Sequence, residues 1–149
     1  MLTAWAVKSS KRENMPHKYE RRALQTAIAI LALVPVVAGL AGAIQGPSMI
    51  GTGPFDISLD SHFRYLSGLL LGIGLAFWST IPSIEKHRAR FLLLTAIVFI
   101  GGLARAASLA AVGMPSKPML GALAIELVVT PLLCLWQNRV AREAAGARV

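Results

Sequence analysis

Residues 23–44 run for 22 positions without a charged side chain, and no other feature of the sequence restricts the fold as much. A helix rises about 1.5 Å per residue, so about 20 residues cross a hydrocarbon layer roughly 30 Å thick. Three further stretches are comparably apolar: 63–81, charged only at Arg64; 91–112, containing Arg105; and 119–136, containing Glu126. Any one of them could be a core helix of a soluble protein. Together they dominate a 149-residue chain in which 15% of residues are charged, against roughly 25% in an ordinary soluble domain. Too little polar surface remains to solvate such a fold. The sequence therefore predicts an all-α integral membrane four-helix bundle, with a four-span domain at 23–138 between basic tails at 1–22 and 139–149.

Lys and Arg set the orientation of spans. Lys8, Lys11, Arg12, Lys18, Arg21 and Arg22 precede the first span, Lys86, Arg88 and Arg90 lie between the second and third, and Arg139, Arg142 and Arg148 follow the fourth. The other two loops hold only Lys117, with Asp56 and Asp60 in the first. Both termini are expected in the cytoplasm, and the bilayer is expected to be a bacterial cytoplasmic membrane. Ala41-Gly42-Ala43 resembles a signal-peptidase site, but the apolar run before it is longer than the 7–15 residues of a signal peptide. Translation could start at Met1 or at Met15, which still keeps Lys18, Arg21 and Arg22.

The turn pairs Gly46-Pro47 and Gly53-Pro54 break the chain after the first span. Asp60 or Ser61 is the expected N-cap of the second. Pro82 closes that span, Pro115 and Pro118 fence a short hairpin before the fourth, and Pro35 and Pro131 are expected to kink spans one and four. Trp78, Trp136 and Tyr65 fall near the expected interfaces.

Charge facing lipid at mid-membrane costs on the order of 2.5–3.5 kcal/mol by insertion scales, so Arg105 and Glu126 require partners. Each lies seven residues, about 10 Å, from the outer end of its span. The short hairpin makes the two helices antiparallel neighbours, and an Arg105–Glu126 pair follows. Arg64 heads an i, i+4 stripe with Gly68, Gly72 and Ala76, and Arg105 shares a stripe with Gly101 and Gly102. Gly68, Gly72, Gly101 and Gly102 are the expected helix-packing residues, so Gly72→Leu is expected to harm the fold more than Leu71→Gly. Asp60 and His62 stand beside Arg64. The expected cluster, a ligand site or an ion-pair network, is Asp60, His62, Arg64, Arg105 and Glu126. Two arginines against one glutamate leave positive charge for Asp60 or an anionic ligand to balance.

His17, His62 and His87 share no depth, which disfavours an intramembrane haem. There is no HExxH, no phosphate-binding Gly-Lys-Ser loop, and Cys134 is the single cysteine. No metal, cofactor, catalytic residue or nucleic-acid partner is expected.

The run from Asp60 through Arg64, Gly68 and Gly72, continued by Phe77-Trp78, Ile81-Pro82, Gly101-Gly102, Arg105, Glu126 and Pro131, resembles a bacterial family of four-span membrane proteins, domain of unknown function 4345. The resemblance covers residues 21–142. The architecture is more distantly similar to DoxX-type four-helix proteins, some tied to respiratory or redox complexes. The residues favour a non-enzymatic multi-pass protein in the lipid bilayer, partnered by a second copy or by another membrane protein of an envelope complex. A small carrier or proton-coupled transporter of an anionic compound and a quinone-binding accessory subunit are the alternatives.

Overall fold

The computed structural model describes residues 4–51 and 53–146, with side chains from Lys18 onward. The side chains of Lys8, Lys11, Arg12, Met15 and His17, and all of Arg148, lie outside the described residues. Every regular element among those described is helical: α1 (Ala4–Leu31), α2 (Leu33–Gln45), α3 (Ile57–Trp78), α4 (Arg88–Val112), α5 (Lys117–Ala124) and α6 (Thr130–Gly146), with short turns at Gly46–Met49 and Ile81–Lys86 and a π-helical turn at Ile125–Val129. The described parts of the two expected tails, 4–22 and 139–146, are helical and continuous with α1 and α6.

Three helical stretches among the described residues are long and apolar enough to cross a membrane: Lys18–Met49, Arg88–Val112 and Lys117–Gly146. Their large side chains are widely exposed, Ile30, Val37, Leu92, Ile100, Leu132 and Leu135 among them, as expected of helices that face lipid. The second expected span lies in α3, which has 22 residues but is not in this set. Asp60, His62 and Arg64 in its first two turns lower its hydropathy.

The chain divides into two compact units, one at Thr26–Pro82 and the other built from the chain before and after it. In the first, α2 and α3 form an antiparallel hairpin. The helix breaks at Ala32, one turn before Pro35, whose ring displaces the Leu31 carbonyl and removes a donor. Gly39 and Gly42 let the backbones close. A Cβ at Gly39 would lie 2.5 Å from the Leu71 nitrogen and 2.7 Å from the Ser67 carbonyl, and one at Gly42 would strike the Ser67 hydroxyl. On α3, Gly74 admits Val36, and at the far end the Trp78 indole N–H donates to the Ala29 carbonyl at 3.1 Å.

Within the hairpin these contacts use a different face of α3 from the expected Gly68–Gly72 stripe. The row of α3 against α2 is Phe63, Ser67, Leu71 and Gly74, spaced by one helical turn. Gly68 and Gly72 lie about 100° round the helix from it, and a Cβ at either would meet nothing within 4 Å. Gly101 is equally open. The N-cap is also corrected: the Asp56 side chain, rather than Asp60 or Ser61, accepts from the Ser58 and Leu59 amides.

In the second unit α4 packs antiparallel to the segment from α5 to α6. Gly102 is its closest approach, where a Cβ would sit 2.7 Å from Leu127 Cδ2 and 2.9 Å from Glu126 Cβ. Pro131 provides no amide for the Leu127 carbonyl, and the helix responds by widening into the π-helical turn just before it. Within that turn the Ile125 carbonyl accepts from both the Thr130 amide and the Thr130 hydroxyl, the latter at 2.9 Å. Leu24, Ile84 and Phe91 are fully buried at the other end of the unit, and Cys134 is buried there as a packing residue.

Candidate functional site

Asp60, Arg64, Arg105 and Glu126 form two ion pairs, one in each unit. In the α2–α3 unit, Asp60 and Arg64 stand one turn apart on α3, where an i, i+4 pair can meet. Arg64 Nε donates to Asp60 Oδ2 at 2.8 Å and Nη2 to Oδ1 at 3.2 Å. Its remaining Nη1 donates to the Ala43 and Ile44 carbonyls at 2.8 and 2.7 Å. Those carbonyls belong to the last turn of α2, which has no intrahelical donor left and carries the negative end of the helix dipole. Arg64 is thus a side-chain cap for one helix supplied by the next.

Gly46 makes that cap possible. It is buried with φ of +67°, and a Cβ there would lie 2.5 Å from Asp60 Oδ1 and 2.7 Å from Arg64 Nη2. Any side chain would be strained by the backbone and would collide with the pair. His62 is exposed and makes no hydrogen bond among the described residues, so it does not join the pair.

In the other unit, Arg105 on α4 meets Glu126 on the π-helical turn. Nε donates to Oε2 and Nη2 to Oε1, each at 3.0 Å, a bidentate fork. Nη1 rests 3.1 Å from the Met119 sulfur. The Glu126 side chain is 17% exposed and that of Arg105 34%. Gly102 gives α4 the room to approach this turn. Both oxygens of each carboxylate are held by a guanidinium, so neither acid stands free as a general base. No group of three or more His, Cys, Asp or Glu side chains suited to a metal occurs among the described residues.

A family model described as a domain of unknown function, DUF4345, matches residues 23–137. The chain belongs to this family. No curated protein and no solved structure matches it. The DUF4345 match takes in both ion pairs, Gly46 and Gly102, and it leaves both basic tails outside. Sequence reasoning reached Arg64, Asp60, Arg105 and Glu126 but missed Gly46, the α2 carbonyls and Met119. Gly46-Pro47 signalled only a turn; the positive φ and the contact with Arg64 are tertiary facts. Pro131 was the available signal for the distorted turn that carries Glu126.

Proposed function

We propose that this DUF4345 protein is a four-span protein of a bacterial cytoplasmic membrane, with both termini inside and its four-span domain at 23–138. Its intramembrane charges act as conformational locks, and it serves as a non-enzymatic subunit of an envelope complex. The observation that carries this reading is the charge balance inside the spans. The positive charge left over after pairing Arg105 with Glu126 is taken up by Asp60 and the end of α2. No anionic guest is needed to neutralise it.

Two features support α3 as the remaining span. Its 22 residues reach about 33 Å at a helical rise, and it runs antiparallel beside the first span from Trp78 against Ala29 to Arg64 against Ile44. The positive-inside rule agrees, because Lys86, Arg88 and Arg90 fall inside only if α3 crosses. One observation favours the proton-coupled carrier as a second reading: π-helical turns are frequent at functional sites, and Glu126 stands on one.

Cysteine labelling in intact cells tests the span count. Probes at Lys86 and after Gly146 should be shielded and one at Gly51 labelled from outside. With three spans, Lys86 would be labelled from outside and the two ends of the chain would lie on opposite sides. Either result would overturn the proposed topology.

A further inference from the structure

We propose that one end of the unit containing α4 and α6 is a binding surface for the anionic headgroups of phospholipids, a reading that rests on the membrane-spanning one above. Residues 18–25, 83–90 and 137–143 converge there. Arg21 pairs with Glu85 at 3.2 Å, Arg139 with Glu20 at 3.3 Å and with Glu143 at 3.0 Å. The Gln137 amide donates to the Ile84 carbonyl at 2.8 Å, and Arg88 Nε to Asn138 Oδ1 at 2.7 Å. These bonds tie three separate parts of the chain into one polar rim.

Eight basic and three acidic side chains occur in these segments. The three acids, Glu20, Glu85 and Glu143, are all engaged by Arg21 and Arg139. Lys18, Arg22, Lys86 and Arg142 are left exposed, with no acidic partner among the described residues. The rim has thus neutralised its own anions internally and presents a surplus of cations outward. The opposite end of the same unit, residues 112–118, carries Lys117 alone.

Position selects the partner. Lys18 stands five residues before the first apolar run and Arg142 six after the last, or about 7–9 Å beyond the hydrocarbon at a helical rise. That is the depth of the headgroup layer, which adds roughly 5–8 Å on each side of the core. Exposed apolar side chains such as Leu92, Leu93 and Leu135 lie just inside it, where acyl chains of the same lipids would rest. A basic residue at an anionic membrane surface favours binding by about fivefold, within a Debye length of about 8 Å at physiological salt.

The test uses the full-length protein, delipidated in detergent, with phosphatidylglycerol and phosphatidylcholine of matched chains offered together and retention read by native mass spectrometry. Wild type should retain phosphatidylglycerol at least about tenfold over phosphatidylcholine. The variant Lys18→Gln/Arg22→Gln/Lys86→Gln/Arg142→Gln should lose the preference. The charge-preserving variant Lys18→Arg/Arg22→Lys/Lys86→Arg/Arg142→Lys should keep it. Equal retention of the two lipids by wild type, an undiminished preference in the glutamine variant, or displacement of phosphatidylglycerol by an equal concentration of duplex DNA would overturn the proposal. Carbonate extraction of cell membranes separates the two readings: protein that stays in the membrane without headgroup preference defeats only the lipid surface, whereas protein released by carbonate defeats the spans as well.

Discussion

Gly39→Leu is expected to prevent the α2–α3 hairpin from closing, at a cost of about 3 kcal/mol or more, while Gly72→Leu is expected to change stability by no more than about 0.5 kcal/mol. The two glycines differ in what faces them. A Cβ at Gly39 meets the backbone of Leu71 and Ser67, atoms that no rotamer change can withdraw, whereas one at Gly72 meets open space. Leucine also has a higher helix propensity than glycine, by several tenths of a kcal/mol, which offsets any minor loss at position 72. Expression and thermal unfolding of both variants in the same detergent check this. A Gly72→Leu variant less stable than Gly39→Leu would return the packing role to the Gly68–Gly72 stripe and contradict the hairpin geometry.

That contrast also shows what could be read from the sequence. All four expected spans were read as long apolar runs, because hydrocarbon thickness fixes a length that composition alone satisfies, and three of them fall in helices long and apolar enough to cross a membrane. Their helical nature followed, since every backbone amide must be paired within the bilayer. The Arg105–Glu126 contact was legible too, because a short hairpin makes depth a matter of counting residues. The contact face of α3 was not. Gly68 and Gly72 fit a small-residue pattern, but that pattern fixes only a face of one helix; the partner's rotation decides which face is used. Gly39, Gly42 and Gly74 stand on the faces that the hairpin selects.

The cap on α2 was illegible for a related reason. Asp60 and Arg64 were visible as a charged opening to α3, yet the two carbonyls that hold Arg64 carry no sequence signature. Every helix ends with such carbonyls. Only the sharp reversal at Gly46, with its positive φ, turns the end of α2 back onto Arg64. The grouping of five residues into one site was an inference from charge counting, and the same counting is satisfied by one ion pair within each unit.

Removal of either partner of the Arg105–Glu126 pair leaves an uncompensated charge among apolar helices. Arg105→Leu and Glu126→Leu are each expected to cost about 3–5 kcal/mol. A lock made of the pair alone requires the two losses to be coupled. Arg105→Leu/Glu126→Leu has no lone charge, keeps Gly102 for close approach, and should recover to within about 1–2 kcal/mol of wild type. The full double-mutant cycle, measured as unfolding free energy in bicelles, is the most direct test that the intramembrane charges are locks. The expected coupling is about 4 kcal/mol or more, the two single losses together less that of the double variant; additive losses, with the double variant the least stable of the four proteins, would contradict it.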